Sequence, residues 1–247
     1  MAYLLSNLLP RKGSHPVSTT TIHLPSPSTP YESCSLHVYY ALPPLLFVDT
    51  HELAQRSASY TFRHWGTKDI EKPVHALPDE ISELLINVPA GTTTTMVNNA
   101  EEGGKDVHVE VPMHLRYGAP KSSSGTLDDD GETRSYEQLR VDWPKGFMLC
   151  PYSSNVRWSK QALTLPAHVL AALPGSQDGN IIVAIPPQAD AFEAYDTLTL
   201  PVGNTKDIAF VESLTALTIL ACFIWLVKAS WRTAKRLNTD SQRLKTA

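Results

Sequence analysis

VHVEVPMHLRY, residues 107–117, is the clearest strand in the chain. Val107, Val109, Val111, Met113, Leu115 and Tyr117 fall on one side of an extended chain. His108, Glu110, Pro112, His114 and Arg116 fall on the other. Alternation with a period of two means one buried and one wet face, the pattern of a strand in an antiparallel sheet. Pro112 has no N–H for a ladder, which places this strand at a sheet edge or a bulge.

Other short segments on either side have the same character. CSLHVYYAL (Cys34–Leu42) is aromatic and β-branched and is stopped by Pro43-Pro44, while the apolar run Leu45–Val48 reads as buried. HELAQRSA, from His51, is the one short helical turn. SASYTFRHW (Ser57–Trp65) alternates, and ELLINV ends at Pro89. Strand character returns in QLRVDWPKGFMLCP around Val141 and Phe147, in IIVAIPP (Ile181–Pro187) and in TLTLPV (Thr197–Val202). No internal repeat is visible. Short strands between turn signals predict a mainly β, sandwich-like domain over residues 33–205. Within it KSSSGTLDDDGE makes residues 119–134 a flexible surface loop. Residues 1–32, rich in Ser, Thr and Pro, offer little apolar surface to offset ordering entropy and read as a disordered leader.

The window Ile208–Val227, IAFVESLTALTILACFIWLV, has one charge, Glu212. A helix of about 20 residues matches a hydrocarbon core of about 30 Å. This length and these flanks favour a transmembrane helix over a buried core helix. Lys228, Arg232, Lys235 and Arg236 follow the window, whereas Asp207 and Lys206 precede it. The excess of basic residues puts residues 228–247, a short basic tail, in the cytoplasm and the β domain on the other side. Trp225 and Trp231 suit the interfacial aromatic belt. Glu212, Thr215, Thr218 and Cys222 share one helical face. Two readings stand for this stripe: close approach to a partner helix, or hydroxyls bonded to their own backbone. MAYLLSNLLP, residues 1–10, has no basic region before its apolar stretch and makes a poor secretory signal. The expectation is that the C-terminal helix drives insertion or that the true start lies upstream.

A net charge of −4 and a pI near 6.1 argue against nucleic-acid binding. No nucleophile elbow, P-loop, GxGxxG or HExxH motif occurs. His108 and His114 read as solvated, and Asp128–Asp130 as a surface charge run without the spacing of a calcium loop. No cofactor or metal is expected, and no catalytic residue is assigned. Cys34 and Cys150 lie outside the span, and in an oxidising compartment they either pair or remain two buried thiols. No Asn-x-Ser/Thr acceptor is present.

CSLHVYYALPPLLFVDTHEL (Cys34–Leu53), VHVEVPMHLRYGAP (Val107–Pro120) and WPKGFMLCP (Trp143–Pro151), in this order and followed by the span and basic tail, resemble the PIG-X family. Members of that family are non-catalytic subunits of the first glycosylphosphatidylinositol (GPI) mannosyltransferase. The resemblance implies a single-pass protein of the endoplasmic reticulum membrane with a lumenal β domain. Its role would be to stabilise a multi-spanning catalytic subunit, which takes mannose from dolichol-phosphate-mannose. A lumenal chaperone or protease-processing factor for a broader set of clients is the alternative. The expected partners are the catalytic subunit and membrane lipid. The expected contacts are Leu42, Pro43, Pro44, Leu46, Phe47, Val48 and Asp49, the strand Val107–Arg116 with His114 and Arg116, and the stripe Glu212, Thr215, Thr218 and Cys222. The tail RLKTA, with Arg243 and Lys245, is similar to a dilysine retrieval signal. It also reads as an ordinary basic tail.

Overall fold

A computed structural model describes residues 2–25, 33–69, 72, 76, 80–89, 98–99, 104–120, 135–152, 163–174, 179–189 and 194–245. The chain divides into two compact units, one of residues 1–119 with 136–202 and one of residues 120–135 with 203–247.

The first unit is built of strands. A four-stranded sheet runs β1 (Tyr3–Leu9), β2 (Val17–Leu24), β8 (Gly104–Pro112) and β7 (Asn98–Asn99). A five-stranded sheet runs β12 (Ile181–Ile185), β11 (Lys145–Cys150), β3 (Ser35–Leu42), β6 (Ser82–Val88) and β5 (Thr61–Trp65). Two two-stranded pairs, β4 (Leu46–Phe47) with β9 (His114–Leu115) and β10 (Ser135–Asp142) with β13 (Tyr195–Val202), accompany them.

One core joins the sheets. Leu4, Leu8, Ile22, Val109 and Val111 of the smaller sheet pack with Val38, Tyr40, Leu84, Ile86 and Met148 of the larger, giving the sandwich arrangement expected. The larger sheet is covered on its other face too. There Tyr39, Leu85, Phe147 and Leu149 meet Val169 of helix α2 (Ala167–Ala172). A sheet buried on both faces needs near-continuous apolar strands, and so KGFMLC and SLHVYYAL show little alternation.

The expectation of a disordered leader over residues 1–32, of which 26–32 lie outside those described, is corrected within residues 2–25 by β1 and β2. Both are fully paired, Tyr3–Leu9 with Val17–His23 and Val17–Leu24 with Lys105–Pro112. Composition misled because hydroxyls can be buried when bonded. Ser6, Ser18 and Thr20 point inward with Leu4, Leu8 and Ile22. Thr20 Oγ1 lies 3.0 Å from both Ser6 Oγ and Tyr40 Oη, a network that crosses between the sheets. Backbone bonds from Leu4 N to Pro186 O (2.8 Å) and from Gln188 N to Leu4 O (2.9 Å) tie β1 to the segment after β12.

The strand read over residues 107–117 is broken in two. Val107 to Leu115 keep their alternating inward set buried, but Tyr117 is 80% exposed. Pro112 ends β8, which among the described residues β7 flanks only at Gly104 and Lys105. The chain then pairs with β4 instead. Helix α1 (Thr50–Gln55) appears where HELAQRSA was read, N-capped by Asp49 Oδ1, which accepts from His51 N at 2.8 Å. Of the loop expected at 119–134, residues 121–134 lie outside those described.

Cys34 and Cys150 form a disulfide, with an S–S distance of 2.08 Å. The register of β3 against β11 pairs Ser35 with Leu149 and thereby sets the two cysteines opposite one another.

His37, 1% exposed, stacks on Phe147 at 5.3 Å and meets Ser35 Oγ through Nε2 at 2.9 Å. Burial lowers its pKa from 6.5 to about 4. Between these values the unfolded chain takes up a proton that the folded chain refuses. The stability contributed by neutral His37 is therefore complete above pH 6.5 and is lost as pH falls toward 4. Denaturant titrations of wild type and His37→Gln at pH 7.5 and 4.5 should show a wild-type loss about 2–3 kcal/mol larger than that of the variant. Equal losses would refute the assignment.

The second unit contains α3 (Thr205–Lys245). Its segment Thr205–Asn238 is long and apolar enough to cross a membrane. At 1.5 Å per residue its 34 residues extend about 50 Å, so the helix continues through the basic residues beyond Val227.

Candidate functional site

The β4–β9 pair brings together two of the sequence blocks singled out above. Leu46 pairs with Leu115 and Phe47 with His114. The chain reaches this pairing through a turn in which Leu46 N donates to Pro43 O at 2.8 Å. Pro43 and Pro44 are half-buried and shape that turn. Arg116 N then donates to Leu45 O at 2.8 Å, extending the contact by one residue.

Side chains on this pair form a compact polar-aromatic cluster. The Phe47 ring stacks on His114, with centroids 5.3 Å apart, and the Arg116 guanidinium lies 4.2 Å from its centroid. Arg116 is only 7% exposed. Its Nη2 donates to Asp69 O at 2.6 Å, and its Nε has no partner among the described residues. Burial pulls the Arg116 pKa below its ordinary value, and the Asp69 carboxylate opposes that shift.

His114 is not a solvated histidine, which corrects the sequence reading. Its Nε2 meets Glu52 Oε2 of α1 at 2.8 Å, and its Nδ1 meets His15 Nδ1 at 2.9 Å. A neutral His114 satisfies both contacts by donating from Nε2 and accepting at Nδ1 from His15. His15, Glu52 and Asp69 were not visible as site residues. His15 arrives because Met113 N and Leu115 N donate to Pro16 O and Ser14 O, contacts across about a hundred residues that no local pattern announces.

The remaining expected contacts separate into groups. Leu42, Leu46 and Val48 are at most 3% exposed and belong to the core. From there they position the Phe47–His114–Arg116 patch. Asp49 is half-buried and caps α1. Along α3, Glu212, Thr215, Thr218 and Cys222 are exposed. Thr215 Oγ1 donates to Val211 O at 2.7 Å and Thr218 Oγ1 to Leu214 O at 2.8 Å, so each hydroxyl bonds the backbone of its own helix. Among the described residues no group of three or more His, Cys, Asp or Glu is arranged to hold a metal ion.

Arg116→Lys should destabilise the β unit by about 1–2 kcal/mol, because an ammonium keeps the charge and loses the planar contact with Phe47. Chemical denaturation reads this directly. A variant as stable as wild type would show that the stacking contributes nothing.

The family described as PIG-X / PBN1 matches residues 11–231 of the chain. A "Protein pbn1" from Emericella nidulans is 27% identical over 153 residues, covering 57% of this chain and 26% of that protein. A "Protein pbn1" from Neurospora crassa is 23% identical over 218 residues, covering 87% of this chain and 40% of that protein. The one from Aspergillus oryzae is 26% identical over 152 residues, 56% of this chain and 24% of that relative. The chain thus spans between 24% and 40% of the length of these curated relatives.

Proposed function

The chain belongs to the PIG-X / PBN1 family, and on that premise we propose that it is a non-catalytic subunit stabilising the catalytic subunit of GPI mannosyltransferase I. The observation that carries this reading is the extent of the family match, residues 11–231, which takes in the β unit from β2 onward and most of the apolar helix. The proposed architecture is single-pass, in the endoplasmic reticulum membrane. The basic residues Lys228, Arg232, Lys235 and Arg236 face the cytosol and the β unit faces the lumen. The proposed contacts are the Phe47–His114–Arg116 cluster and, along the membrane helix, the stripe from Glu212 to Cys222. The cluster has the composition of an interface anchor, an aromatic ring braced by arginine and histidine.

Removing the gene is expected to lower the amount of the catalytic subunit and the surface display of GPI-anchored proteins. Unchanged amounts of both would refute the proposal. Purification from membranes in native detergent should recover one stoichiometric multi-spanning partner. A broad mixture of clients would favour a general lumenal chaperone instead.

A further inference from the structure

Strand β5 is the last strand of the five-stranded sheet, paired with β6 through Thr61–Asn87 to Trp65–Glu83 and with no other strand among the described residues. Alternate residues of such a strand direct N–H and C=O groups away from the sheet, where they form a template for another chain. None of its five residues is fully buried, in contrast to β6 beside it.

An open cleft of about 670 Å³ lies along this strand. Its walls include Phe62 and His64, which share a face with the common core, and also Arg63 and Trp65, which share the opposite face with α2. Side chains from both faces of one strand line a single cleft only if the cleft follows the strand's edge. Thr50 at the start of α1 closes one side, and His168, whose imidazole meets Glu83 and packs edge-on against Trp65 at 5.3 Å, closes the other.

The chemistry of the cleft selects the occupant. Arg63 and Lys68 are exposed cations with no ion pair among the described residues, and among the described residues no carboxylate lines the cleft. Both ring nitrogens of His64 are buried and have no hydrogen-bond partner among the described residues. A second copy pairing edge to edge would set like charges against each other. The geometry points to an extended acidic segment of a partner polypeptide, added as a sixth strand alongside β5, with its carboxylates toward Arg63 and Lys68 and its apolar side chains on the opposite face, beside Phe62. This inference goes beyond the accessory role proposed above and does not rest on it.

The test uses the full chain in detergent micelles and three labelled ten-residue probes: alternating Glu and Val, alternating Lys and Val, and the Glu/Val peptide N-methylated on alternate residues. The Glu/Val peptide should bind by fluorescence anisotropy and slow amide exchange within Thr61–Trp65. The Lys/Val and N-methylated peptides should bind at least tenfold more weakly. Arg63→Glu with Lys68→Glu, both exposed positions, should reverse the charge preference and leave the melting temperature unchanged. Equal binding of the N-methylated peptide would overturn strand addition. Absence of binding by the Glu/Val peptide, affinity insensitive to the charge reversal, or protection of β5 through self-association would each overturn the proposal.

Discussion

Deletion of residues 1–24 is expected to abolish folding of the β unit, so that the purified variant shows no cooperative unfolding transition and is rapidly digested by protease. A disordered leader would be dispensable, whereas β1 and β2 supply two of the four strands of one sheet. Leu4, Leu8, Ile22 and Leu24 are all core residues. At about 1.5–3 kcal/mol for each fully buried side chain, their loss amounts to roughly 6–12 kcal/mol. That equals the entire stability of a typical domain, about 5–15 kcal/mol. The deletion also uncovers β8 along its full length, exposing Val107, Val109 and Val111 and a new sheet edge open to aggregation. Circular dichroism and limited proteolysis of the deleted chain decide the matter, and a native-like melting curve would refute the role given to these strands.

Removal of the disulfide should have the next largest effect. Cys34 and Cys150 are 116 residues apart in sequence. In the chain-entropy account a cross-link closing a loop of this size restricts the unfolded ensemble by roughly 4–5 kcal/mol. The double variant Cys34→Ala, Cys150→Ala retains the register of β3 against β11 and loses only the link. Its melting temperature is expected to fall by roughly 10 °C or more, given about 2–4 °C per kcal/mol for a unit of this size. Wild type in reducing agent should show the same fall, and the double variant should be indifferent to reductant. If reductant left wild type unchanged, the link would be absent or without consequence. A protein that depends on this bond matures in an oxidising compartment, which fits the proposed lumenal side of the membrane.

How much of this was legible beforehand follows from the range of the interactions. Strands that bury one face or both advertise themselves, because side-chain direction alternates residue by residue and apolar residues collect accordingly. Thus strand character within 107–117, 34–42 and 181–187 is legible directly, although the first segment divides into β8 and β9. The apolar helix was equally plain, since its length and composition are local properties. The leader's composition is misleading because Ser6, Ser18 and Thr20 look like linker residues until Tyr40, from another sheet, bonds Ser18 and Thr20, and Thr20 in turn bonds Ser6. At the candidate site Phe47, His114 and Arg116 could be named from the sequence, but not as neighbours. The same blocks also contributed Leu42, Leu46 and Val48, which the fold assigns to the core.

A mainly β chain with an apolar helix able to cross a membrane follows from the residues alone, because hydrophobic periodicity and uninterrupted apolar length are written along the chain. That Tyr3–Leu9 and Val17–Leu24 are strands of the sandwich, that Cys34 meets Cys150, and that His15, Glu52, Phe47, His114 and Arg116 form one cluster emerges from the folded chain alone. Each of those depends on pairing between segments far apart in sequence. Strand register and the closing of long loops set that pairing, and neither leaves a local mark.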